Sequence, residues 1–388
     1  MTRTICIVTG SRAEYGHLRW LARDIADDAR LCLQILVTGA HLSEEFGETW
    51  REIEADGFTI NAKVPVLDGD RAVDVAGAMG RGISGMAEAL DRLKPDLLII
   101  LGDRFEMLAA ASAALVMTVP VAHLHGGETT EGAFDESIRH AITKMSHLHF
   151  TAAAAYRDRV LQLGEDPARV FHVGAPGLDL LTRETLPGQA ELEAVLGMSL
   201  DGLVFLVTYH PVTLSGTDPA LAVEQLLAAL DRWPQARIVV TGVNADPGHS
   251  MVSAAFAAWQ QRHPDRVRLV ASLGNRRYVA AMALASAVIG NSSSGLIEAP
   301  AMGVPTINMG ERQKGRLRAP SVIDCGETAD EIAAAITTAL DPAFRKRART
   351  QSPPLGRGGA SAKITEIIAT ADLDGILMKH FHDLETRA

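Results

Sequence analysis

"DLLIILGDRFE", residues 96–106, decides the fold: five apolar residues stand in an unbroken row and then give way to Gly102-Asp103-Arg104. A run this short, with no polar residue on either alternating side, suits a strand buried on both faces, as in a parallel sheet covered by helices. Outward from it the same unit recurs. "TICIVTG" (4–10), "LCLQILVTG" (31–39), "VPVAHLH" (119–125), "HLHFTAA" (147–153) and "VFHVGAPG" (170–177) are separated mostly by stretches of helical period rich in Ala, Leu, Arg and Glu. Strands alternating with helices in this way are βαβ units. Residues 183–200, "RETLPGQAELEAVLGMSL", lack strand character. A fresh series then begins with "GLVFLVTYHP" (202–211), "RIVVTGVN" (237–244), "VRLVASLG" (267–274), "SAVIGNSS" (286–293) and "VPTINMG" (304–310). Helical patterns follow at about 328–341 and from about 360, on either side of a Pro/Gly-rich segment. The expected organisation is two doubly wound α/β domains, 1–182 and 183–365, which agrees with a chain of 388 residues, longer than one hydrophobic core usually grows.

Composition narrows the function. A net charge of -10 and a pI near 5.7 argue against nucleic acid as a partner, because phosphate neutralisation needs a basic surface. No apolar run approaches the roughly 18 residues of a membrane span, so no membrane partner is expected. "MTRTICIVTGSRAEYG" reads as a first strand running into a loop, with no cleavage pattern of a secretion signal. Cys6, Cys32 and Cys325 are isolated, which suggests neither a disulfide framework nor a zinc site and fits a reducing cytoplasm.

Doubly wound sheets bind ligands at the carboxyl ends of their strands, so the loops there hold the candidate site residues. "TGSRAEYG" could hold an anion on backbone N–H groups with Arg12 adding charge, or could be a plain turn capped by Ser11. His41 follows the second strand. Asp103, beside Arg104, sits at the end of a central strand, where burial or a cation sets the state of a carboxylate. "HLHGGETTEGAFDES" (123–137) then brings His123, His125, Glu128 and Asp135 around a Gly-Gly pair, the two histidines two residues apart and so expected on one face of a strand end. Glu131 and Glu136 suit solvated positions. No metal pattern is present in this stretch, because it has no helical His pair with an intervening Glu and no Cys partner. In the second half, His210 and Asn244 end strands, and "VIGNSSSGLIEAP" offers Ser292, Ser293, Ser294 and Gly295 as the opening of a helix that could bind phosphate. Glu298 could accept both hydrogen bonds of a ribose diol, and Arg312 supplies local positive charge. No P-loop occurs, and the turn "VTGSRAEYG" after the first strand is not a G-x-G-x-x-G, so ATP and dinucleotides are disfavoured.

These motifs together, "VTGSRAEYG", "GAHLSEEFG", "LGDRFE", "HLHGGE", "DESIRHAITKMSHLHF", "YHPVT" and "GNSSSGLIEAPAMGVPTINMGERQKGR", resemble the hydrolysing UDP-N-acetylglucosamine 2-epimerases of sialic-acid and legionaminic-acid biosynthesis, in order from about residue 3 to 325. The resemblance implies GT-B architecture: two Rossmann-like doubly wound domains facing a central cleft, with a C-terminal helix, expected over 366–388, crossing back to complete the first domain. It implies UDP held by Ser292, Ser293, Glu298, Arg312, His210 and Asn244, with Arg12 reaching the diphosphate. Asp103, Glu128 and Asp135 would be the catalytic carboxylates, with His125 beside them. Animal relatives carry a Glu in the place of His125, whereas this chain offers Glu128. The implied reaction eliminates UDP to a glycal and adds water with protonation at C2, a route that needs no cofactor and no metal. UDP-N-acetylglucosamine is the expected substrate, and UDP-2,4-diacetamido-2,4,6-trideoxyglucose is the alternative within the family. A GT-B glycosyltransferase and an inactive UDP-sugar sensor are rivals of other classes. A homo-oligomer, dimer or tetramer, is expected.

Overall fold

The computed structural model describes residues 2–44, 46–69, 71–129, 134–210, 219–242, 249–270 and 273–384. The chain divides into two compact units, Met1–Thr182 with Gly358–Ala388, and Arg183–Arg357.

In the first unit, β1 (Arg3–Thr9), β2 (Leu31–Thr38), β3 (Ala62–Val64), β4 (Leu97–Leu101), β5 (Val121–Leu124), β6 (Leu148–Thr151) and β7 (Val170–His172) pair in the order β3-β2-β1-β4-β5-β6-β7. All pairs are parallel, and Ile5 lies opposite Leu33 on one side and Leu97 on the other. The apolar run that opened the sequence reading is the central strand β4, and its side chains divide by alternation. Leu97, Ile99 and Leu101 join Ile5, Ile7 and Val37 under the helices Arg12–Asp27 and Ala360–Thr370, whereas Leu98 and Ile100 join Cys6, Val8 and Leu36 under Ala72–Leu93 and Phe105–Val116. The edge strand β3 has no counterpart among the runs quoted above. Its three residues, Ala-Lys-Val, alternate buried, exposed, buried over too short a length to be told from loop.

The second unit repeats the scheme. Here β8 (Val204–Thr208), β9 (Arg237–Thr241), β10 (Val267–Val270), β11 (Ala287–Gly290), β12 (Thr306–Met309) and β13 (Val322–Cys325) form a parallel sheet of order β10-β9-β8-β11-β12-β13. Strand order reverses between β1 and β4 and again between β8 and β11, so the crevice for a ligand lies in each unit at the loops that follow these strands. No helix among the described residues is long and apolar enough to cross a membrane.

The last helix runs over Ala360–Thr370, not over 366–388. It stops there because "DLDG" (372–375) favours a turn: the Asp372 carboxylate accepts the Asp374 N–H at 3.0 Å, and Gly375 takes a φ of 65°. Its start is fixed by Asp179, a fully buried carboxylate in the first unit. Asp179 accepts the N–H groups of Gly359 (2.5 Å), Ala360 (3.0 Å) and Ser361 (2.7 Å), so one side chain satisfies three helix-end donors and draws the chain back to the first unit at Gly358. Arg3 donates to the Ile368 and Ala371 carbonyls, and Arg169 to that of Ile376. Hydrogen bonds to a charged group contribute about 1.5–3 kcal/mol each, less when they share one acceptor. Asp179→Ala should therefore lower unfolding stability in urea by about 2–4 kcal/mol; a change within 0.5 kcal/mol would show that the returning segment is held by other contacts.

Candidate active site

In the first unit Asp103 and the loop that carries Glu128 meet at one buried cation. Arg139, on the helix Asp135–Met145 and 3% exposed, bonds the Asp103 carboxylate at the end of β4. It also donates to Glu136 at 2.8 Å and to the Glu128 carbonyl at 2.9 Å. Its guanidinium thus joins the loop after β4, the loop after β5 and the first turns of the helix that begins with Asp135. Sequence reading did not single out Arg139, which looks like one more charged residue on an amphipathic helix.

The Gly-Gly pair has a steric cause. Gly127 takes a φ of 78°, and a Cβ there would lie 2.3 Å from the Tyr156 carbonyl oxygen. Only glycine lets the loop pass so close to the helix Ala154–Gln162. His125 precedes the pair with a φ of 64°, a left-handed conformation that costs a non-glycine residue about 1 kcal/mol. It is held by its N–H on the Phe150 carbonyl (3.0 Å) and by Nδ1 on Glu128 Oε1 (2.5 Å). Its Nε2 is shut off from solvent without a partner among the described residues. The His17 ring lies 6.3 Å away, its pKa drawn down to about 4, first by burial and then by the His125 charge.

His123 and His125 do not share a face, because the strand ends at Leu124 and the left-handed turn at His125 breaks the alternation. His123 is wholly buried, sharing Nε2 with the Gly102 carbonyl (2.8 Å) and Nδ1 with Thr143 (3.1 Å), and burial pushes its pKa to about 3. It is a neutral connector between β4, β5 and the Arg139 helix. His41 is similar: its ring nitrogens meet Thr9 (3.1 Å) and Thr49 (2.8 Å), and burial lowers its pKa to about 4.

A second cluster, also missed in the sequence, lies where β1 ends. Glu14, 6% exposed, accepts the Gly10 N–H at 2.7 Å, while its other oxygen has no partner among the described residues. Glu106 is buried beside it and receives two hydrogen bonds from Arg104, at 3.0 and 3.2 Å. Both acids occupy first-turn helix positions, where a carboxylate is ordinary, so spacing carried no signal. Ser11 caps the first of these helices, and Arg12 is exposed and pairs with Glu52 at 3.0 Å.

In the second unit, Gly290 takes a φ of 135° and a Cβ there would lie 2.0 Å from the Thr208 carbonyl oxygen, so β11 and β8 come close at their ends. The fully buried Asn291 side chain then accepts the His210 N–H (2.7 Å) and donates to the His210 carbonyl (2.8 Å). Arg312 and Gln313 donate to the Asn291 carbonyl at 3.2 and 2.8 Å. Burial, and after it the Arg312 charge, draws the His210 pKa down to about 4. The serines do not open a regular helix: Ser292 caps a single 3-10 turn, Ser293–Gly295, and a four-residue helix, Glu298–Ala301, follows. Glu298 Oε2 is closed off from solvent and has no partner among the described residues, and burial raises its pKa. Asn244 lies outside the described residues.

A family model described as UDP-N-acetylglucosamine 2-epimerase matches residues 23–369. The chain belongs to that family. It is 40% identical, over 98% of this chain and 99% of the relative, to the GDP/UDP-N,N'-diacetylbacillosamine 2-epimerase (hydrolyzing) of Campylobacter jejuni. It is 36% identical, over 96% and 97%, to the UDP-N,N'-diacetylbacillosamine 2-epimerase (hydrolyzing) of Legionella pneumophila. These relatives mark it as a member of the hydrolysing 2-epimerases. Among solved structures, UDP-GlcNAc 2-epimerase from Neisseria meningitidis bound to UDP-GlcNAc superposes with a TM-score of 0.82 at 17% identity, over 94% of this chain and 99% of that one. That likeness speaks for the GT-B-like fold.

The buried acid at the end of this epimerase's first strand makes its stability depend on pH. Burial first of all, and the Glu106 charge, raise the Glu14 pKa from 4.5 to about 7, against the pull of Arg104 and the Gly10 N–H. An acid with a raised folded pKa stabilises the fold fully below its unfolded pKa and loses that contribution as pH climbs through the folded value. Between pH 4.5 and 7 the wild type should therefore lose stability relative to Glu14→Gln, by about 1.4 kcal/mol for each pKa unit of elevation. Urea melts across this range check it, and parallel curves for the two proteins would refute it.

Proposed function

We propose that the protein hydrolyses a UDP-linked 2-acetamido sugar with inversion at C2, and that the sugar is 2,4-diacetamido-2,4,6-trideoxyglucose, the N,N'-diacetylbacillosamine of the relatives' names. The observation that carries this reading is the end-to-end match at 40% identity with a hydrolysing 2-epimerase named for that sugar. It supports the alternative sugar over the UDP-N-acetylglucosamine expected first.

In this reading the first unit acts on the sugar and the second holds UDP. A base takes the C2 proton, the C1–O bond breaks, and UDP departs with the electron pair, leaving a 2-acetamidoglycal. Water then adds its oxygen to C1 while an acid delivers a proton to the opposite face of C2, giving UDP and the free 2-epimer. Two protonic groups must flank the ring. Asp103, paired with Arg139, Glu128, bonded to His125, and Asp135, at the start of the Arg139 helix, are the groups proposed to do this. The His125–Glu128 contact of 2.5 Å supports their working as one unit, with the buried, unpartnered Nε2 as the proton-carrying position. In the second unit the Ser292–Ser294 turn and Arg312 would stabilise charge on the departing diphosphate, and the buried Glu298 oxygen would accept from the ribose.

Incubated without an acceptor, the protein should release UDP faster from UDP-2,4-diacetamido-2,4,6-trideoxyglucose than from UDP-N-acetylglucosamine, with the GDP-linked sugar as a third arm. In D₂O the free product should carry deuterium at C2. A product with no deuterium there would remove the glycal route, and dependence on an acceptor would turn the reading to a glycosyltransferase.

Replacing Asp103 or Asp135 by Asn, or Glu128 by Gln, keeps shape and removes proton transfer, so kcat should fall roughly 10²–10⁴-fold with UDP affinity held. Activity within threefold of wild type would take that residue out of the chemistry.

A further inference from the structure

We infer that Tyr278 is a positioning residue of the nucleotide site, one that holds the Ser292–Ser294 turn in the arrangement that leaves the Ser292 hydroxyl proton free for a phosphate oxygen. The inference rests on the reading that the second unit holds UDP.

The serines stand on one 3-10 turn followed by a four-residue helix, so little helix dipole is available for an anion. Hydroxyl and N–H donors must supply the attraction. Ser292 Oγ accepts both the Ser294 hydroxyl (3.0 Å) and the Ser294 N–H (3.4 Å). Its two lone pairs are thus in use, and its own proton is left for an incoming acceptor. Ser294 has spent its one proton on Ser292, so its contact at 2.6 Å with the Tyr278 hydroxyl runs from the phenol to the serine. The direction is thereby fixed, Tyr278 to Ser294 to Ser292 and outward.

Tyr278 is well suited to head this chain. A phenol is a stronger donor than an alkyl hydroxyl, and aligned hydroxyls polarise one another. The ring stands on the helix Gly274–Leu284 against the apolar cluster of Leu192, Leu206, Val239 and Val288, which fixes its place. Thr208 Oγ1, 3.4 Å from the phenol oxygen and 2.6 Å from Thr241, extends the hydroxyl line to the ends of β8 and β9. Burial keeps the phenol protonated by raising its pKa. An independent sign of a ligand lies close by, in the unpartnered, closed-off Oε2 of Glu298.

The test is isothermal titration of the full chain with UDP and with uridine, for wild type, Tyr278→Phe, Ser294→Ala and the double variant. Tyr278→Phe keeps the ring and its packing. Its Kd for UDP should rise roughly 3- to 10-fold, the range of one neutral hydrogen bond, while its Kd for uridine stays within twofold. The double variant should be little weaker than Ser294→Ala alone, because the two act through one chain. Unchanged UDP affinity in Tyr278→Phe, equal losses for UDP and uridine, or effects of the two substitutions that simply add would each overturn the inference and leave the nucleotide reading standing. A wild-type protein that binds no UDP would overturn both.

Discussion

A guanidinium shut away from water is costly unless every side of it meets a charge or a carbonyl. Arg139 meets that condition with Asp103, Glu136 and the Glu128 carbonyl, and the geometry of the first unit's site follows. Removing the cation would leave carboxylates from two segments without their common partner, while removing Asp103 would leave a buried charge underpaired. The loop after β5 is fixed to the same centre, and Gly126-Gly127 is what lets that loop reach it past Tyr156.

His41 and His123 in the first unit, and His210 in the second, are each drawn well below the ordinary imidazole range, mainly by burial, so they act as uncharged hydrogen-bonding groups. His125 sits in a left-handed turn, bonded to Glu128 on one nitrogen and, among the described residues, without a partner on the other, which is buried.

Elements with a strong local cause were legible in the sequence. Eleven of the thirteen strands among the described residues lie in runs whose apolar pattern marks them, and β3 and β13 do not, because three or four residues at a sheet edge carry no clear period. Asp103, Glu128 and Asp135 were readable as candidates because strand-end loops gather titratable groups, although Arg139, which bonds the Asp103 carboxylate and the Glu128 carbonyl, was not, since its role depends on a contact thirty-six positions away in the chain. Glu14 and Glu106 were hidden for another reason: an acid in a helix's first turn looks the same whether it faces water or another carboxylate. The triple serine read as the start of a helix, and Pro300, close behind Glu298, helps keep that helix to four residues. The short return helix at the C-terminus was misplaced because the Asp372 turn competes with a helical pattern that composition alone lets run on.

The three N–H groups that Asp179 holds belong to residues 359–361, on the far side of the whole second unit. Synthesis from the N-terminus delivers Asp179 to the solvent long before those groups exist, and in the interval its carboxylate must be hydrated. The second unit, continuous from Arg183 to Arg357, emerges complete while the first is still missing its final helix. Closure of the first unit therefore cannot come before the second unit has been made, and because the entropy of closing a loop grows only with the logarithm of its length, an insert of this size delays that closure more than it weakens it.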